Sequence, residues 1–214
     1  MKTAQIPAKA DTEAQAEFLG GELQPRIEEA KAGVRQLLFV DASHFVLAAF
    51  LGYLWCFARI FVKSPSGRQR YNVLGAFNAV SHELFTVTNN AYINANSIIC
   101  LMTKLLEHYA GEAITLVMDN ARYQRCALVM DFAKTNGIEL LFLPAYSPNL
   151  NLIERLWNFV KKTCLYSKYY ADFDSFKSAI DDCLANLNSK YKSDISSLMS
   201  LKFQLFHNVS LSRG

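Results

Sequence analysis

Residues 138–164 constrain the fold of this chain more than any other stretch. An apolar run, IELLFLP, gives way to a turn punctuated by Pro144 and Pro148, and a helical pattern opens at about Leu152. Within it Ile153, Leu156, Trp157, Val160 and Cys164 recur at helical spacing and form an apolar face, while Glu154, Asn158, Lys161 and Lys162 share the polar one. A strand feeding a helix through a short turn is the repeating unit of α/β sheets. Glu154 falls in the first turn of that helix, at the mouth of the sheet, where open α/β sheets carry their ligand sites.

Two earlier apolar runs meet an acid in the same way. LLFVDAS (37–43) reads as a buried central strand ending in Asp41, and ITLVMDNA (114–121) as another ending in Asp119. Between them, residues 55–62 and 71–80 read as strands around the turn-like SPSGR (64–68), and ELFTVTN (83–89) completes an antiparallel meander. Residues 96–109 carry helical spacing, with Asn94 or Asn96 as N-cap, and 127–135 a second helix stopped by Asn136-Gly137. A further helix is expected over 173–188. Three antiparallel strands followed by alternating helix and strand predict an α/β fold with a mixed sheet of about five strands flanked by helices. The ribonuclease-H-like fold has this order. The expected organisation is an N-terminal helical arm or linker over 1–35, broken at Gly20-Gly21 and Pro25, a catalytic domain over 36–190, and a tail over 191–214.

Composition narrows the class. At 214 residues, 51% hydrophobic and 19% charged, the chain can bury a sizeable core and is not of disordered type. Five scattered cysteines without a C-x-x-C pair point to reduced thiols in the cytoplasm, not to a zinc site or a disulfide framework. The N-terminus lacks the apolar core of a signal peptide. The uncharged stretch HFVLAAFLGYLWCFA (44–58) is the one candidate for a membrane span; it is short, and its β-branched and aromatic content favours buried strands with a turn between them, so no membrane is expected.

Each acid has an ordinary reading beside the functional one. Asp41 can cap the turn after its strand, Asp119-Asn120 can form an Asx-turn, and Glu154 stands three residues after Asn151, the spacing of a capping box. His44 and Trp157 read as packed residues. Taken together the acids say more. Three carboxylates brought close would repel one another and raise their own pKa values unless cations neutralised them. Mg2+ fits such an oxygen site, and a two-metal phosphodiester-cutting centre needs this donor set. Each acid is also followed by an acid-free basic tract: Arg59, Lys63, Arg68 and Arg70 before Glu83; Arg122 and Arg125 before Asp131; Arg155, Lys161, Lys162 and Lys168 before Asp172. That arrangement suits a polyanion lying across an acidic centre. Arg68, Arg70, Arg122, Arg125, Arg155, Lys161 and Lys162 are the candidate DNA-binding residues.

The segments FVDASHF, GRQRYNVLGAFN, LVMDNARYQ and LPAYSPNLNLIERLWNFVKK, in that order, resemble the catalytic part of insertion-sequence transposases of the mariner superfamily, the DDE superfamily endonucleases, from about Leu37 to Tyr170. The thirty-four residues between Asp119 and Glu154 match the spacing usual in that group. The resemblance implies a retroviral-integrase-like fold, Asp41, Asp119 and Glu154 as catalytic residues and metal ligands, and two Mg2+ ions with Mn2+ as a substitute. It also implies cleavage of DNA at the element's ends, strand transfer into target DNA, and a homodimer in the active complex. Many relatives have a proline at the position of Arg122, a histidine at that of Gln124, and P-P-Y-S-P-D-L-N-P in the turn where this chain has Ala145, Asn149 and Leu152. Members usually carry N-terminal helix-turn-helix modules; about forty residues precede Asp41, so a separate DNA-binding partner or an upstream reading-frame product is expected. The alternative is a catalytically inactive truncated remnant that binds DNA or a full-length transposase as a regulator.

Overall fold

The computed structural model describes residues 9–47 and 69–205. Five strands form one mixed sheet: β1 (Arg35–Val46), β2 (Arg70–Asn78), β3 (Leu84–Asn89), β4 (Ala113–Met118) and β5 (Ile138–Phe142), in the order β3-β2-β1-β4-β5. The β1–β2 and β2–β3 pairs are antiparallel, and β4 and β5 run parallel to β1. The expected fold class therefore stands. The expected strand at 55–62 and the turn at 64–68 lie outside the described residues, as does most of the stretch weighed as a membrane span. Its first residues, His44 to Val46, belong to β1, and no helix among the described residues is long and apolar enough to cross a membrane.

Alternation along the strands gives each face its own core. Leu38, Val40, Leu74 and Ala76 point to one side, where α3 (Ala95–His108) and α4 (Ala127–Thr135) cover them. The cap of α3 is Asn94, which forms a reciprocal capping box with Ser97; α4 ends before Gly137, whose φ of +69° is the left-handed conformation a helix stop requires. On the other face, Leu37, Phe39, Phe45, Val73 and Phe77 meet α5 (Ile153–Val160) and α6 (Phe173–Ala185).

The N-terminal residues pack onto that second face. Helix α1 (Thr12–Glu17) runs through a wider turn at Phe18–Leu23 into α2 (Gln24–Lys31), so Gly20-Gly21 does not break the helix as expected. Pro25 sits in the first turn of α2, where its missing N–H is harmless, and burial of Leu23, Ile27 and Ala30 holds the helix down. At the sheet edge remote from the acids, Arg26 and Arg35 both bind Glu139 of β5, at 2.6 and 2.5 Å, and Thr115 of β4 donates to the same carboxylate at 2.8 Å. The C-terminal residues add a short helix, α7 (Lys192–Leu198), and an extended segment through Leu205.

Candidate active site

Strand register brings the first two acids together. Val40 pairs with Met118 at the end of the parallel β1–β4 ladder, so Asp41 and Asp119 are the next residues on adjacent strands. Asp41 is not strand-terminal as the sequence suggested: β1 continues to Val46 because its other edge stays paired with β2, opposite Gly75. It is the first residue beyond the parallel ladder, where β4 turns away and leaves a gap. Alternation sends Asp41 and Asp119 to the face covered by α5, and sends His44 to the other, where its Nδ1 meets Asn72 Oδ1 at 2.7 Å. His44 thus takes the packed, hydrogen-bonded role.

Helix α5 delivers Glu154. The capping box with Asn151 does not form: Leu152 occupies the N-cap without a side-chain hydrogen bond, and both polar atoms of the buried Asn151 side chain lack a hydrogen-bond partner. Glu154 is therefore free of the competing role. One turn further on, Trp157 is buried in the core as expected, yet its Nε1 donates to Asp41 Oδ2 at 3.1 Å. Close approach of α5 depends on Gly75, since a Cβ there would stand 2.9 Å from Trp157 Cη2 and 3.0 Å from Ile153 Cδ1. Neither role was drawn from the sequence. The signals were present: a buried indole needs an acceptor, and a glycine inside a strand marks a close approach.

The electrostatics record how near the acids lie. Burial, then the charges of Glu154 and Asp119, push the Asp41 pKa up to about 7, against the Trp157 hydrogen bond. Asp119 is raised by burial and lowered by the neighbouring amide of Asn151, which stands beside it without a well-formed hydrogen bond. Glu154 is raised by burial and by Asp119, with Lys161 acting the other way. Tyr123, not singled out from the sequence, joins the group: burial and the charges of Asp41 and Asp119 raise its phenol. Its neighbour Gln124 is buried with Oε1 unpartnered.

An all-oxygen donor set with pKa values raised by burial and, for Asp41 and Glu154, by neighbouring carboxylates suits a hard divalent cation. The enclosure is incomplete, because no three acidic, histidine or cysteine side chains among the described residues are gathered tightly enough to hold a metal as they are placed. The carboxylates sense one another without converging.

The basic candidates divide. Arg70 is exposed at the start of β2, on the sheet edge where β1 ends, because the two strands are antiparallel. Arg122 is exposed in the loop after Asp119. Arg125 donates to Asn120 Oδ1 at 2.7 Å and lies 4.8 Å from the Phe142 ring centroid; Asn120 in turn binds the Leu143 carbonyl, tying the exits of β4 and β5 together. Lys161 acts on Glu154, and Lys162 is exposed one residue further. Arg68 lies outside the described residues. Arg155 is engaged by the protein itself, donating to the carbonyls of Leu198, Ser200 and Lys202.

The family described as DDE superfamily endonuclease matches residues 36–177. The transposable element Tc3 transposase of Caenorhabditis elegans is 35% identical over 82 residues, 38% of this chain and 25% of that protein. An insertion element IS630 protein of 39 kDa from Shigella sonnei is 26% identical over 103 residues, 48% of this chain and 30% of that protein. The alignments thus span about a quarter to a third of these relatives. Among solved structures, the Mos1 mariner paired-end complex with Mn superposes with a TM-score of 0.64 at 13% identity, over 95% of this chain and 68% of that one. The catalytic domain of Mos1 mariner transposase does so with a TM-score of 0.58 at 14% identity, over 94% of this chain and all of that one. At such identity the structural likeness establishes the ribonuclease-H-like fold.

Proposed function

We propose, because this chain belongs to the DDE superfamily endonuclease family as a transposase catalytic domain of the mariner and IS630 type, that Asp41, Asp119 and Glu154 form a metal-dependent centre for cutting and joining DNA. The observation that carries this reading is that two strands and a helix start place three carboxylates near enough for their charges to act on one another. Two divalent ions, Mg2+ with Mn2+ as a substitute, would activate the attacking oxygen and stabilise the leaving one.

The chain's own residues do the rest. Asp41, Asp119 and Glu154 supply the anionic oxygens, and Trp157 fixes the Asp41 carboxylate by donating to one of them. Gly75 admits α5 to the sheet. Arg70, Arg122, Lys161 and Lys162, with Arg125 behind Asn120, supply positive charge around the acids for phosphate oxygens. Water or a freed 3′-hydroxyl attacks the phosphodiester at the element's end or in target DNA. Residues 36–190 act as the catalytic unit, and the described helices before it and the segment after it pack onto its core. The partners are element ends and target DNA and a second copy of the chain, all in the cytoplasm. The acids are intact and Glu154 is free of a capping role, which speaks against the inactive remnant.

The test is nicking of a supercoiled plasmid carrying the element's ends. Wild type should convert it to open circles with Mg2+ or Mn2+ and not with EDTA, and Asp119→Ala should not. Cutting that survives the substitution would remove the site assignment.

A further inference from the structure

The basic residue next to the third acid has an unusual set of partners. Arg155 Nη1 donates to the carbonyls of Leu198 and Ser200 at 3.3 and 2.7 Å, and Nη2 donates to that of Lys202 at 2.9 Å. Its guanidinium lies 5.6 Å from the Phe203 ring centroid. No carboxylate among the described residues pairs with it, so a half-buried charge is satisfied by three neutral acceptors and a ring face. Those acceptors are not scattered, since all belong to the end of α7 and the extended segment beyond it.

That segment is fastened elsewhere too. The ring of Phe203 packs on Phe39, 6.0 Å between centroids, and Phe39 lies two residues before Asp41 on the same face of β1. Asn149, in the turn leading to α5, donates to the Gln204 carbonyl at 2.9 Å and to Gln15 Oε1 of α1 at 3.1 Å. The C-terminal segment therefore touches β1 beside the first acid, the turn before the third, and α5 itself. Where Arg155 sits, the first turn of α5 has no side-chain cap, and its amides reach back to the preceding turn through Glu154 N to Asn151 O at 3.2 Å and Arg155 N to Leu152 O at 3.1 Å.

We infer that Arg155 is a positioning residue, a clamp that fixes the uncapped start of α5, and with it the Glu154 carboxylate, to the C-terminal segment 198–204. The inference rests on the reading of Glu154 as a catalytic acid. A planar fork with five donors suits three carbonyls of one segment, whereas a lysine presents its three donors from one nitrogen. The strand-borne acids are set by the sheet ladder, and the helix-borne one by this clamp together with the packing of Ile153 and Trp157 against Gly75.

The experiment compares Arg155→Ala, Arg155→Lys, Phe203→Ala and the Arg155→Ala/Phe203→Ala double variant in the full chain. Three readouts are taken: single-turnover nicking of supercoiled plasmid with Mn2+, affinity for the same plasmid across a salt series, and hydrogen exchange at the Glu154 and Arg155 amides. Arg155→Ala should slow nicking roughly tenfold to a hundredfold, as misplacement of a catalytic group does. It should speed exchange at both amides and leave DNA affinity and its salt dependence unchanged. Arg155→Lys should recover part of the rate, Phe203→Ala should give a smaller loss, and the double variant should be no slower than Arg155→Ala alone. Weaker DNA binding with a flatter salt dependence would make Arg155 a phosphate ligand, and unchanged rate and exchange would leave it no role; either overturns the clamp. Should Arg155→Ala fail to fold, Arg155→Lys carries the same comparison. If nicking by wild type is not lost in Glu154→Gln, the reading of the acids fails, while exchange at the two amides still reports on the clamp.

Discussion

Trp157 donates its indole N–H to the Asp41 carboxylate at 3.1 Å, linking the helix that carries Glu154 to the central strand. The bond holds one oxygen of Asp41. Trp157→Phe keeps the ring in the core and removes only the donor. Stability should fall by about 1 kcal/mol, the worth of one such bond. Mn2+ affinity, read by calorimetric titration, should fall roughly tenfold, as is usual when a partner that orients a ligand is lost.

Gly75 stands opposite Asp41 across the β1–β2 ladder, and its missing side chain is the space into which Trp157 and Ile153 fit. Gly75→Ala overpacks this contact, and urea unfolding should show a loss of about 1–3 kcal/mol. Plasmid nicking by the folded fraction should also slow, because the new methyl pushes α5 and Glu154 off the sheet.

The raised pKa of Asp41 makes the metal-free protein less stable where that group is charged. A carboxyl whose folded pKa, about 7, exceeds its unfolded value of 3.8 contributes stability that is fully present below the unfolded value and lost as pH rises through 7. Asp41→Asn should therefore stabilise the metal-free chain by about 1–2 kcal/mol at pH 8, after discounting for partial exposure, with the advantage gone near pH 4. Thermal melts across that range, in EDTA, read the effect. The same variant should lose nicking.

Glu139 behaves in the opposite sense. The Arg26 hydrogen bond, more than any other influence, holds its carboxyl below the usual range, so its contribution is present above the unfolded pKa and lost as pH falls through the lower folded one. Glu139→Gln should cost about 1–3 kcal/mol at pH 7, because Arg26 and Arg35 lose a shared, partly buried partner. Nicking by the folded enzyme should be unchanged, as this cluster lies at the far end of the sheet.

Lys162 is exposed, eight residues past Glu154, and has no role in the core. Lys162→Ala should weaken plasmid binding across all sequences and reduce the magnitude of the log–log salt slope by about one.

Strand and helix identities were legible because their apolar periods are long and regular: β4, β5, α4 and α6 fall at or near the expected positions. The three acids were legible as candidates, since a charge at the end of an apolar strand or in a helix's first turn stands out locally. Their mutual distance was not, because it is set by register and by the approach of α5. A ladder ending at Val40 and Met118 puts Asp41 beside Asp119, and Gly75 sets the depth of the helix. Arg155 shows the limit most clearly. In the sequence it belongs to a basic tract; in the fold it faces a segment more than forty residues away whose carbonyls no residue pattern reveals.

The most direct test of the three acids acting as one centre is Glu154→Gln, which keeps the size of the side chain and removes only its charge. Rates of Mn2+-dependent nicking of plasmid carrying the element's ends should be compared with wild type at equal folded concentration. A loss of at least ~100-fold with DNA affinity retained is the expected result, because removing one ligand of a metal centre disables the whole. Nicking within a few-fold of wild type would show that Glu154 is not part of the cutting site.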